Sequence, residues 1–177
     1  MSDLGAIPEN RPALEWVMNI PAETQLLGCL LRCQTAEQVN AITYAVPAEA
    51  FTTPLDTAIW RAAEILADNG VSDPASIART VVAYELWPQD LHHEISVRLV
   101  QVIVEGRFEA HEWRTPAVDV LTAYERRAVA RQLALFAASL ATARPQNIAR
   151  DLFAAAEFAE TVVHWIAHIE APQVRAA

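Results

Sequence analysis

His164 and His168 stand four residues apart near the end of the chain, with Glu160 one turn before them. On a helix that spacing sets three metal-capable groups on one stripe, an arrangement a zinc ion can use. A fourth ligand and second-shell partners are not visible nearby, so a solvated helix edge is the ordinary reading and no metal is assigned. His92-His93-Glu94 and His111-Glu112 invite comparison with H-E-x-x-H, but Trp113-Arg114-Thr115 follows His111-Glu112 and the second histidine is missing. Proton-transfer chemistry needs such groups gathered in a cleft; exposed acid–histidine pairs are the simpler account. Cys29 and Cys33, also four apart, are poorly placed for a disulfide within one helix and read as small core residues. Arg126, Arg127 and Arg131 make the one local basic cluster. Its functional reading is contact with an acidic partner or a phosphate backbone; its ordinary reading is pairing with Glu125 or with acids of the neighbouring lobe. No catalytic residue and no cofactor follows from these groups.

The wider composition narrows the function classes. All thirteen basic residues are arginine and there is no lysine, so a G-x-x-x-x-G-K-[ST] phosphate loop and a lysine Schiff base are both impossible. The four glycines, Gly5, Gly28, Gly70 and Gly106, are too scattered for a glycine-rich nucleotide loop. A net charge of −9 argues against autonomous nucleic-acid binding. That charge is uneven: residues 19–114 hold thirteen acids and six arginines, residues 115–170 six and five. The acidic part is suited to water or to a basic partner, and the nearly neutral part to association. With 53% hydrophobic and 20% charged residues in 177, the chain has material for one proper core. No run of about 18 apolar residues is present to span a membrane. Residues 1–10 lack the plan of a signal peptide, and two cysteines without an export signal predict a cytoplasmic protein with reduced thiols.

The elements that must position these groups are helical. From 115 to 170 the spacing predicts two long helices folded back on each other. Val129, Leu133, Phe136, Leu140 and Ala143 alternate four and three apart, as do Ile148, Leu152, Ala155, Ala159, Val162, Ile166 and Ile169. Each set is a narrow seam of the kind paired helices bury. Between them Arg144-Pro145-Gln146-Asn147 reads as the turn, Pro145 ending one helix and Asn147 capping the next. Phe153, Ala156, Val163 and Trp165 lie off the seam, so a second surface is expected to pack on the last helix.

Ahead of this hairpin, residues 19–114 predict a compact lobe of five helices. Asn19-Ile20-Pro21 opens the first, with Leu26, Leu27, Leu30 and Leu31 inward and Gly28 admitting close approach of another helix. Thr35-Ala36-Glu37-Gln38 is a capping-box pattern for the second, which Pro47 ends. Thr53-Pro54 opens a third, stopped at Gly70; Asp73-Pro74 a fourth; Trp87-Pro88 a fifth that runs to Gly106. The β-branched run through Val100, Val102, Ile103 and Val104 could be a strand, but no partner strand is visible. Residues 1–18 read as an arm whose Leu14, Trp16, Val17 and Met18 are available to dock on the body, and 171–177 as a tail or the start of a linker. The fold class predicted is all-α.

The order of these features resembles the N-terminal domain of the DnaB-type replicative hexameric helicase, across roughly residues 19–170. Ala22-Glu23-Thr24-Gln25-Leu26-Leu27-Gly28-Cys29-Leu30-Leu31 is similar to that family's A-E-x-x-[VL]-L-G-x-[LM]-[LM]. Phe51-Thr52-Thr53-Pro54-Leu55 with Ile59-Trp60 resembles its F-[YF]-x-x-x-H-x-x-I-[FY], with Leu55 where the family has histidine. Leu66, Gly70 and Asp73 resemble its L-x-x-x-G-x-x-[IV]-D, one residue displaced, and Tyr124 through Arg131-Gln132-Leu133 the stretch ending in R-x-L. Trp87-Pro88-Gln89-Asp90 replaces the family's glycine-containing start of the fifth helix, and the ATPase domain with its phosphate loop is absent. The resemblance implies a non-enzymatic domain that pairs with itself through its hairpin, in a collar that docks primase or a helicase loader. Helicase activity is not implied.

The expectation is therefore a homodimerising interaction domain connected with DNA replication. Its interface is expected among Val129, Leu133, Phe136, Leu140, Leu152, Val162 and Ile166, some of which must pack within the hairpin, with Arg126, Arg127 and Arg131 as a basic contact. Two other classes stand beside it. An all-α metal-dependent enzyme would gather at least two of His92, His111, His164 and His168 with acids. A small nucleic-acid-binding regulator would need a basic face that the charge does not supply.

Overall fold

The computed structural model describes residues 21–67, 73–139 and 145–170. The arm 1–18, the proposed stop at Gly70, Leu140, Ala143 and Arg144 of the turn, and the tail 171–177 lie outside them. Every regular element described is helical: α1 (Ala22–Leu31), α2 (Ala36–Ala45), α3 (Pro54–Ala67), α4 (Pro74–Ala83), α5 (His92–Glu105), α6 (Arg114–Ser139) and α7 (Pro145–Glu170). The β-branched run at 100–104 is helix, because its inward residues Ile95, Leu99 and Val102 are all buried at helical spacing.

Local chemistry accounts for most of the boundaries. Thr35 Oγ1 accepts from Gln38 N at 3.2 Å while Gln38 Oε1 accepts from Thr35 N at 3.3 Å, the reciprocal capping box expected for α2. Asp73 caps α4 by accepting from Ser76 N at 2.9 Å, and Pro74 occupies the first turn. Two expected boundaries move. Trp87-Pro88 leads into a 3₁₀ turn at Gln89–Leu91, and α5 begins only at His92. Asn147 does not cap α7: the helix already runs from Pro145, whose missing N–H costs nothing in a first turn.

Helix α1 is the centre of the lobe. Thr24 through Leu30 are buried without a break, because α5 and α6 both pack on it. Gly28 lets the close approach happen: a Cβ built there would lie 2.9 Å from Gly106 Cα. Arg32 then ties the ends, donating to Gly28 O at 3.0 Å, Ile103 O at 3.2 Å and Gly106 O. Trp60 of α3 is fully buried, tilted against Phe51 at 4.7 Å, with its indole N–H donating to Val46 O at 3.0 Å. A buried indole without that partner would carry a desolvation cost of about 1–3 kcal/mol.

One buried charge pair joins three helices. Asp56 of α3, 1% exposed, receives Arg98 Nε at 2.7 Å and Nη2 at 2.9 Å. The same Nη2 donates to Thr24 Oγ1 at 2.9 Å on α1. Such a two-toothed pair fixes direction as well as distance.

The last two helices join the lobe only along part of their length. Ala117, Val120 and Leu121 of α6 and Val162 and Ile169 of α7 belong to the core. Tyr124 of α6 meets Phe158 of α7 edge-on at 5.5 Å.

Candidate interaction surface

Beyond the lobe, α6 and α7 continue with little cover. Every side chain described from Ala130 to Ala138, and from Asn147 to Glu157, is exposed. Leu133 is 52% exposed and Leu152 44%, although both belong to the seams that two helices should hide in each other. Leu152, Ala156, Ala159 and Val163 follow at four, three and four residues, one apolar stripe on α7. Phe153, 72% exposed, lies beside it.

The expected interface residues divide. Leu133 and Leu152 are open and Val129 and Ile166 half-buried. Val162 is fully buried and is one of the seam positions taken up inside the single chain, since α7 packs chiefly on α6. Leu140 and the side chain of Phe136 lie outside the described residues. Leu135, 58% exposed, was not signalled by the seam spacing, since it falls two residues from Leu133 and on another side of α6.

The basic cluster does not act as one. Arg127 turns to the lobe, donating to Ala50 O and lying 3.9 Å from Glu23 Oε1. Glu23 in turn accepts from Thr52 N at 2.9 Å, so the arginine closes a joint between α1, α6 and the loop before α3. Arg126 and Arg131 are exposed. Pairing with the lobe, the ordinary reading, holds for Arg127.

The histidines and cysteines are dispersed over the described residues. His164 lines a shallow groove of α7 with Glu157, Glu160, Thr161 and Trp165. His92 lies 3.3 Å from Trp87 O through Nε2, and His111 is exposed in the 3₁₀ turn Ala110–Glu112. Among the described residues no three His, Cys, Asp or Glu side chains lie together as metal ligands. Burial pushes the Cys29 thiol up to about 12, with Cys33 adding to it, and burial pushes Cys33 up to about 11. Cys33 Sγ donates to Cys29 O at 3.4 Å. Both are core thiols held protonated, the opposite of an activated nucleophile. No described helix is long and apolar enough to cross a membrane.

Comparison with family models, with curated proteins and with solved structures gives no match to this chain.

Proposed function

We propose that this chain is a non-enzymatic interaction domain that pairs with a second copy of itself through the outer halves of α6 and α7. The supporting observation is the half-open seam: Leu133 and Leu152 keep 52% and 44% of their surface in water when only one pair of helices is present. Two such pairs set against each other would make a four-helix arrangement and close it. Leu133, Leu135, Leu152, Phe153, Val163 and Trp165 are each more than a third exposed. Covering the exposed part of each is worth on the order of 1 kcal/mol. Leu133, Leu152 and Phe153 of both copies, the exposed ones on the outer halves that lie on or beside the seams, are what a two-fold interface sets against an association cost of roughly 4–15 kcal/mol.

The resemblance of Ala22–Leu31 and of the paired long helices to the DnaB-type collar supports a place in DNA replication, with primase or a loader as the further partner. The acidic lobe suits a basic contact on such a partner. Sedimentation equilibrium tests the central reading. The unmodified chain should form dimers at micromolar concentration, and Leu133→Asp with Leu152→Asp should return it to monomer with its helix content unchanged. A strict monomer before substitution overturns the reading.

A further inference from the structure

We infer that in the pair proposed above α6 of each copy lies against α7 of the other, and that charge decides this arrangement; the inference rests on that proposal. The exposed parts of the two helices carry opposite signs. From Arg126 to Ser139, α6 holds Arg126, Arg127 and Arg131 and no acid. Arg127 is engaged with the lobe; Arg126 and Arg131 are exposed. On α7, Glu157 and Glu160 are exposed, and the charges of the adjacent Arg150 and Asp151 sum to zero. Among the described residues none of Arg126, Arg131, Glu157 and Glu160 forms an ion pair, although α6 and α7 pack on each other. Cations on one helix and anions on its neighbour are thus held without meeting inside one chain.

The charges share their strips with apolar residues left open. On α6, Arg126, Ala130, Leu133 and Ala137 follow at four, three and four residues, all exposed, and Arg131 is four from the exposed Leu135. On α7, Phe153, Glu157, Glu160 and His164 follow at the same spacing, beside the stripe of Leu152, Ala156, Ala159 and Val163. Covering Leu133 and Phe153 therefore brings these charges into the contact. With α6 set on α6, Arg126 and Arg131 would face their own copies, and with α7 on α7 acid would face acid; like charges disfavour both. With α6 set on α7 of the other copy the signs are opposite, and a two-fold axis repeats the match. Glu157 and Glu160 line one groove with Trp165, which is 38% exposed, so an incoming guanidinium meets carboxylate and aromatic face together.

The test measures dimer dissociation constants by sedimentation for the full chain in four forms: unmodified, Arg126→Glu with Arg131→Glu, Glu157→Arg with Glu160→Arg, and all four changes together. Either one-sided reversal should weaken dimerisation about tenfold, and the combined form should recover to within about threefold of the unmodified chain. The second variant separates this contact from general repulsion. Each Glu→Arg change raises the charge by two, so the net charge moves from −9 to −5, which by itself favours association. A folding defect would not be repaired by two further reversals, and circular dichroism follows helix content in all four forms. A dimer indifferent to the one-sided reversals, or weakened by them without recovery in the combined form, overturns the inference and leaves self-association standing. An unmodified chain that stays monomeric overturns the self-association reading and the inference with it.

Discussion

Gly28 and Gly106 meet backbone to backbone, α1 lying directly on the end of α5. A Cβ on Gly28 would sit 2.9 Å from Gly106 Cα, and one on Gly106 would sit 2.6 Å from Val102 O and 2.9 Å from Gly28 Cα. Gly106 has φ −63°, so the constraint there is space and not backbone conformation. Alanine at position 28 gains about 1 kcal/mol of helix propensity. Overpacking costs typically about 1–3 kcal/mol, and the obstacle is backbone, which cannot swing aside. Gly28→Ala and Gly106→Ala should therefore both lower the thermal midpoint, with Gly106→Ala the worse. A rise in midpoint for Gly28→Ala would show that the helices separate without penalty.

The Asp56–Arg98 pair supports a second expectation, in which the two single changes are unequal. Asp56 is 1% exposed, and removing Arg98 takes away the counter-charge its buried carboxylate is paired with. Arg98 keeps Thr24 and Gln101 and is 16% exposed at its side chain. Removing one member of a buried pair costs about 3–5 kcal/mol, and the larger loss should fall on Arg98→Met. Asp56→Leu combined with Arg98→Met should recover much of that loss. Chemical denaturation of the three variants measures the coupling, and additive losses would contradict it.

Stability and association should separate along α7. Ile169 is 4% exposed and packs in the lobe core; Phe153 is 72% exposed and touches little of its own chain. Ile169→Ala should cost about 2–5 kcal/mol of folding stability. Phe153→Ala should change folding by no more than about 0.5 kcal/mol while weakening self-association tenfold or more in sedimentation. Equal effects of both changes on folding would place Phe153 in the core of the single chain.

These expectations show what kinds of information the residue order carries. Features decided within a few residues were legible: the Thr35–Gln38 box, the Asp73 cap, the close approach at Gly28, and the apolar spacing that makes α6 and α7 long helices. Features decided across the chain were not. Asp56 and Arg98 lie 42 residues apart and Ala50 and Arg127 lie 77 apart, and no local pattern reports such a meeting. The candidate surface follows the same division. Spacing placed Leu133, Leu152 and Val162 on seams alike but could not tell that Val162 is closed within the single chain while Leu133 and Leu152 stay open, because that depends on how far along α6 the packing of α7 extends. Trp87-Pro88 misled for a local reason: its turn is 3₁₀, and proline at the start of either helix type looks alike.

Glu64 supplies a pH dependence of definite sign. Partial burial, with Glu49 nearby, raises its carboxyl above the ordinary 4.5, Arg61 only partly opposing this. A raised folded-state value means that the folded chain holds this proton more tightly than the unfolded one. The stabilisation it gives is complete below the unfolded value and disappears as the pH rises through the folded one. At neutral pH the charged Glu64 is then a burden, so Glu64→Gln should stabilise the chain at pH 7 and lose that advantage toward pH 4. Glu49 and Asp73 run the other way. Hydrogen bonds from the Glu49 backbone N–H and from Arg61 hold Glu49 low, and those from Ser76 hold Asp73 low. Their contributions are present above the ordinary values and fall away in acid. Denaturation midpoints of the unmodified chain and of Glu64→Gln, followed from pH 7 to pH 4, should converge as the pH falls. Curves that stay parallel would remove Glu64 as the cause.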